Sequence, residues 1–181
     1  MTGPRVNAVG DLVLTDPRAM RALAEPSRLA LLDRLRREGP ATAAELSAQS
    51  GELEELERFG FVARTEVAGE GGWKAVAKGF IFEIPDDPDG QAAARQLSNV
   101  MIERYVDLPR LWIADDEPRL ELDWARAAGL FNARVTVTPD ELRGLQDGLE
   151  RLLGPFITRE GDEVPAGARP ARLLAYFLPE A

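Results

Sequence analysis

From residue 16 to residue 59 the apolar positions fall at helical spacing. Met20 and Leu23 lie on one side of a first segment, which Asp16 caps and Pro17 opens in its first turn. A second helix restarts at Glu25-Pro26-Ser27 and carries Leu29, Leu32 and Leu35 as a stripe widened by Ala30 and Leu31. Arg28, Arg34, Arg36 and Arg37 lie largely off that stripe, and Gly39-Pro40 ends the segment. Thr42-Ala-Ala-Glu45 is a capping box opening a short helix with Leu46 as its inward residue. After a Ser50-Gly51 turn, Leu53, Leu56 and Phe59 form the apolar side of Glu52–Phe59, which Gly60 closes.

The period then changes. Phe61–Val67 alternates and predicts a strand, Gly69-Glu70-Gly71-Gly72 a hairpin tip, and Trp73–Phe82 the returning strand. Residues 85–90 have turn and linker composition, which sets an expected boundary between a domain at 1–86 and another at 87–181. Met1–Asp11 reads as a loose arm, with Val9 and Leu12–Leu14 as an apolar patch that docks on the domain.

Beyond the linker, residues 91–108 predict a long helix with Ala94, Leu97, Met101, Tyr105 and Leu108 on one stripe, ended or kinked by Pro109. A stripe of that length suggests contacts between two copies, with packing inside one subunit as the alternative. Asp115-Asp116-Glu117-Pro118 reads as a loop, and Trp124 lies in a helical turn. Residues 130–137 alternate as a half-buried strand. Thr138-Pro139-Asp140-Glu141 is a second capping box, opening a helix with Leu142, Leu145, Leu149 and Leu152 that Gly154-Pro155 is expected to end. Gly161–Pro170 reads as a linker, and Leu173–Leu178 as a last strand paired with 130–137. The expected class is α+β: an N-terminal winged helix-turn-helix, then a helix–strand–helix–strand region with a long dimerisation helix.

Composition narrows the chemistry. The 181 residues include no Cys and no His, which removes disulfides, thiolate or imidazole metal sites and histidine-based nucleophile pairs. No carboxylates stand on a framed catalytic motif, so no enzyme, cofactor or metal centre is expected. Asp115-Asp116-Glu117 reads as solvated acid in preference to a cation site. Trp73, Trp112 and Trp124 read as core in preference to a ligand cavity, though an effector pocket stays open. No apolar run reaches membrane-spanning length and no signal-peptide pattern opens the chain, so a cytoplasmic protein without membrane contact is expected.

The net charge of −9 argues against a general nucleic-acid surface, but its distribution is uneven. Residues 1–80 hold 11 Lys+Arg and 12 Asp+Glu, a net of −1, whereas 81–181 hold 11 and 19, a net of −8. Only the first half is neutral enough to meet phosphate. Arg58 in the second helix of the pair, and Arg64, Lys74 and Lys78 on the wing, are the expected DNA contacts. Arg34, Arg36 and Arg37 divide between phosphate contact and a solvated face.

Asp16-Pro-Arg-Ala-Met-Arg-Ala-Leu-Ala, Pro26-Ser-Arg-Leu-Ala-Leu-Leu, Gly39-Pro-Ala-Thr-Ala-Ala-Glu-Leu, Phe59-Gly-Phe-Val and Trp73-Lys-Ala-Val-Ala-Lys-Gly-Phe resemble ArsR-type winged helix-turn-helix regulators. The nearest likeness is to an actinobacterial branch with an added C-terminal region. The resemblance implies a homodimeric transcriptional regulator bound to double-stranded DNA, here without metal sensing through Cys or His. The departure from the family is at the recognition region. Roughly eight residues are missing between Ala48 and Leu53, judged by the resemblance. What remains, Gly51-Glu-Leu-Glu-Glu-Leu-Glu-Arg58, has four carboxylates and one arginine, a set that repels phosphate. The alternative is therefore a winged-helix-derived ligand-sensing or protein-interaction module that has lost DNA binding. A continuous chain across Ala48–Leu53 favours that alternative, and a break there favours the regulator.

Overall fold

The computed structural model describes residues 5–7, 9–49, 51–159 and 163–180. Ser50 of the expected turn, residues 1–4 and 8 of the expected arm, and residues 161–162 of the expected linker lie outside them. The protein is mixed α+β, and its contacts divide it into two units, Met1–Leu130 and Phe131–Ala181.

In the first unit, β1 (Arg5–Val6) pairs antiparallel with β2 (Leu12–Leu14), so the described part of the expected loose arm is a sheet edge. Leu12 and Leu14 are buried. Helix α1 (Pro17–Leu23) is capped by the Asp16 side chain, which accepts from the Arg18 N–H. Helix α2 (Pro26–Glu38) buries Leu29, Leu31, Leu32 and Leu35, the expected stripe. Gly39 ends it at φ 88°, a left-handed conformation that suits glycine. Both reciprocal bonds of the Thr42–Glu45 capping box form at the head of α3 (Ala43–Leu46). Helix α4 (Glu52–Arg58) buries Leu53 and Leu56.

Strands β3 (Val62–Val67) and β4 (Glu70–Ala75) form an antiparallel hairpin, with Arg64 opposite Trp73 and Ala63 opposite Lys74. Ala41, between α2 and α3, bridges Trp73 through Ala41 N–H to Trp73 O at 3.0 Å and Trp73 N–H to Ala41 O at 2.8 Å. The returning run Trp73–Phe82 is not one strand. It breaks after Ala75, and β5 (Phe80–Phe82) leaves the hairpin to pair parallel with β2. The cause is local. Leu12 N–H binds the Gly79 carbonyl at 3.1 Å, and a Cβ at Gly79 would lie 2.2 Å from the Asp11 carboxylate, so a larger residue there would have to displace the Asp11 side chain.

Helix α5 (Pro88–Tyr105) is capped by Asp87 and packs its first half on α1, with Ala93, Ala94 and Leu97 buried. The boundary expected at 86/87 thus falls between β5 and a helix that shares the first unit's core. Leu97 is fully buried inside the chain, so the seam expected on its stripe can use only positions nearer the helix end. There Ile102 is 44% and Val106 54% exposed. After α6 (Leu108–Leu111), residues 112–116 form a π-helical turn and 117–119 a 3₁₀ turn, correcting the expected loop. Proline at 109 sits in the first turn of α6, where its missing N–H leaves no bond unmade. Helix α7 (Leu122–Ala127) carries Trp124.

The second unit holds α8 (Pro139–Ile157), opened by the expected Thr138–Glu141 capping box. It runs through Pro155 instead of ending at Gly154, and its end is closed by the Thr158 N–H and hydroxyl on the Gly154 carbonyl. Neither expected C-terminal strand forms. Residues 130–137 and 173–178 form neither helix nor strand and have no ladder partners among the described residues. Alternation specifies which face a strand would bury, but a ladder needs a second chain segment in register; these two stretches form none, although Arg134 pairs with Glu180 just beyond the second at 2.5 Å.

Candidate nucleic-acid interface

The acidity of α4 has a local rationale. Glu52, Glu54 and Glu55 occupy its first turn, where carboxylates complement the positive end of the helix dipole. Glu52 also accepts from the Gln49 N–H at 2.7 Å, while its own N–H binds the Gln49 carbonyl at 3.3 Å. Gln49 and Glu52 are therefore held together by two hydrogen bonds on either side of Ser50, which lies outside the described residues. With seven residues, α4 is about two turns long.

The four expected contact residues do not form one basic patch. Arg58 lies in the last turn of α4, 3.5 Å from Glu55 and 5.4 Å from the centre of the Phe59 ring. Arg64 on β3 is brought against α4, with Glu57 at 3.5 Å and Glu54 at 3.8 Å. Its guanidinium lies 3.9 Å above the Trp73 ring, its partner across the hairpin. Lys74 is exposed on the opposite hairpin face, since neighbouring residues of a strand point to opposite sides, and it makes no ion pair among the described residues. Lys78 lies beyond the hairpin, exposed between β4 and β5. Residues 52–75 hold six carboxylates against three cations, a net of −3, so α4 and the hairpin together disfavour phosphate except at Lys74. The hairpin tip bears a shallow open depression lined by Arg64, Thr65, Glu66 and Gly69–Gly71.

The α2 arginines are committed elsewhere. Arg34 pairs with Glu38 at 2.8 Å and donates to the Glu45 carbonyl at 2.5 Å, and Arg37 pairs with Glu38 at 2.7 Å. Arg36 donates to the Ala77 carbonyl at 3.1 Å and lies 5.3 Å from the Phe80 ring. Its position four residues after Leu32 was the available signal, because it stands at the edge of the buried stripe. Burial lowers the Arg36 pKa, against the attraction of Asp33, Asp11 and Tyr105. Beside it, burial raises the Asp11 carboxyl above its ordinary value, opposed by Arg36.

Periodicity alone did not single out one polar cluster. Asp33 of α2 accepts from the Tyr105 hydroxyl at 2.6 Å and from Arg104 Nε at 2.7 Å, tying the end of α5 to α2. Burial, then the adjacent Asp33 carboxylate, raises the Tyr105 pKa. Trp73 is a core residue, and Trp112 and Trp124 are half-buried. No group of three or more acids positioned to hold a metal ion occurs among the described residues. No helix among them is long and apolar enough to cross a membrane.

No family model, curated protein or solved structure matches this chain.

Proposed function

We propose that this chain is a transcriptional regulator of the winged helix-turn-helix type, acting in the cytoplasm as a homodimer on double-stranded DNA. It is not an enzyme and does not sense metals through Cys or His. The observation that carries the reading is the Ala41–Trp73 bridge. It ties the connection between α2 and α3 to the second hairpin strand, so that α3, α4 and the hairpin form one unit in winged order. In this unit α4 is too short and too acidic to read base edges deeply. Affinity comes instead from the hairpin and its flank, through Lys74 and whatever part of Lys78, Arg58 and Arg64 their own partners release. Binding is therefore weak, sequence-tolerant and steeply weakened by salt. The exposed end of α5, with Ile102 and Val106, supports a contact between copies.

The Gln49–Glu52 hydrogen bonds and the paired Arg58 and Arg64 favour the second reading, a protein-interaction module that keeps the fold without DNA binding. Fluorescence anisotropy with pooled genomic fragments at two salt concentrations decides between them. The regulator gives weak binding whose logarithm falls with log salt by about 0.9 per phosphate neutralised. The variant Glu54→Gln with Glu57→Gln, which releases Arg64, tightens it. No binding at low salt by either protein overturns the DNA reading in favour of the interaction module.

A further inference from the structure

The unit Phe131–Ala181 has apolar sequence without an apolar core. Gly154 is its one buried position among the described residues. Phe131 is 94%, Leu178 77%, Leu173 66%, Leu152 65% and Phe156 57% exposed. Leu145, Leu152 and Phe156 recur along one side of α8 at spacings of seven and four. The backbone N–H and C=O groups of 131–137 and 173–178 have no backbone partners among the described residues. A unit this short has little to stabilise it while its apolar side chains and the unpaired backbone of 131–137 and 173–178 both face water.

We infer that this unit is completed by a second copy of the chain. The segments 131–137 and 173–178 of two copies join in a shared sheet, and the apolar stripe of each α8 covers it. Three observations choose a second copy as the occupant. Taking roughly 150–200 Å² per large side chain, the exposed apolar residues of the unit present on the order of 1,000 Å². A stable interface takes about 800 Å² per partner. The unit holds six Lys+Arg and eight Asp+Glu, a net of −2, so two copies meet without the repulsion that the net of −7 on residues 1–130 would impose. Finally, the alternating segment 131–137 has one apolar face and free ladder positions, the requirement for strand addition between chains. This inference rests on the homodimer in the proposed function and is independent of DNA binding.

Hydrogen exchange on the full chain, measured at high protein concentration and after dilution, tests it alongside light scattering. The expected result is a dimer whose amides at 131–137 and 173–178 are protected, with exchange rising at least about tenfold as dilution dissociates it. Because the chain has no cysteine, Tyr176→Cys gives a single thiol. It is expected to form a disulfide-linked dimer on oxidation, while Glu25→Cys does not. Leu145→Glu with Leu152→Glu is expected to raise the dimer dissociation constant on the order of 100-fold. A dimer with both segments exchanging as free chain overturns the inference while leaving the homodimer intact. A monomer at all concentrations, with the segments protected or not, overturns both, and the anisotropy titration still reports on DNA separately.

Discussion

Replacing Asp33 with alanine removes the single carboxylate that holds the end of α5 to α2. Its side chain is 14% exposed, and Oδ2 accepts from Tyr105 at 2.6 Å and Arg104 at 2.7 Å. A hydrogen bond involving a charged group is worth about 1.5–3 kcal/mol. Arg104 is 31% exposed and rehydrates when its partner is lost, so its share lies near or below the bottom of that range. Alanine inside a helix returns up to about 0.7 kcal/mol of propensity relative to aspartate. The net expectation is a loss of about 1.5–2.5 kcal/mol. With m values of roughly 1–3 kcal/mol/M in urea, the midpoint falls by about 1 M without a change in slope. Far-ultraviolet circular dichroism in urea measures it. Tyr105→Phe is expected to cost about 1 kcal/mol, and the double variant less than the sum, since both remove the same bond. A midpoint for Asp33→Ala within about 0.2 M of the parent, or strict additivity with Tyr105→Phe, refutes the assignment of this contact as a stabilising tie.

The same pair sets an alkaline limit: the folded Tyr105 pKa is raised, so its contribution is present below the ordinary tyrosine value near 10 and is lost as pH rises through the folded value. Urea midpoints should fall between pH 9 and 11 in the parent and less in Tyr105→Phe. Leu97→Glu places a charge in the intrachain core and should unfold the first unit, whereas Ile102→Glu with Val106→Glu should keep the circular dichroism spectrum and weaken self-association in light scattering. Thr42→Ala removes the hydroxyl that accepts from the Glu45 N–H while keeping the backbone N–H that binds the Glu45 carboxylate, and should cost about 1 kcal/mol in the same urea assay. A zinc titration by calorimetry should show no tight stoichiometric site, and a stoichiometric isotherm would overturn the exclusion of metal sensing.

The N-terminal helices were readable because their information is local. Asp16, Thr42 and Thr138 each announce a helix start through a side chain within three residues of the N–H it satisfies, and each cap forms. The Leu29–Leu35 stripe likewise encodes its own buried face. Pairing between distant segments was not readable. The β2–β5 ladder depends on residues far apart in the chain, and its local trace was Gly79, which reads as an ordinary interruption until Asp11 is placed against it. Residues 130–137 show the converse, a sound alternation that finds no ladder partner among the described residues. At the candidate interface, the exposure of Arg58, Arg64, Lys74 and Lys78 followed from charge. That α4 would neutralise Arg64 did not, because the contact depends on how helix and hairpin pack.

The stacking of Arg64 on Trp73 gives the hairpin an optical property of its own. The indole is 3% exposed and its most intimate charged neighbour is a guanidinium 3.9 Å above the ring. Indole emission responds to charge held against the ring face, so an anion that draws Arg64 outward alters the spectrum of a tryptophan that never leaves the core. Trp112 and Trp124 stand outside the hairpin and can be replaced by phenylalanine to leave Trp73 as sole emitter. The protein then reports phosphate engagement at its hairpin by its own colour, without a dye.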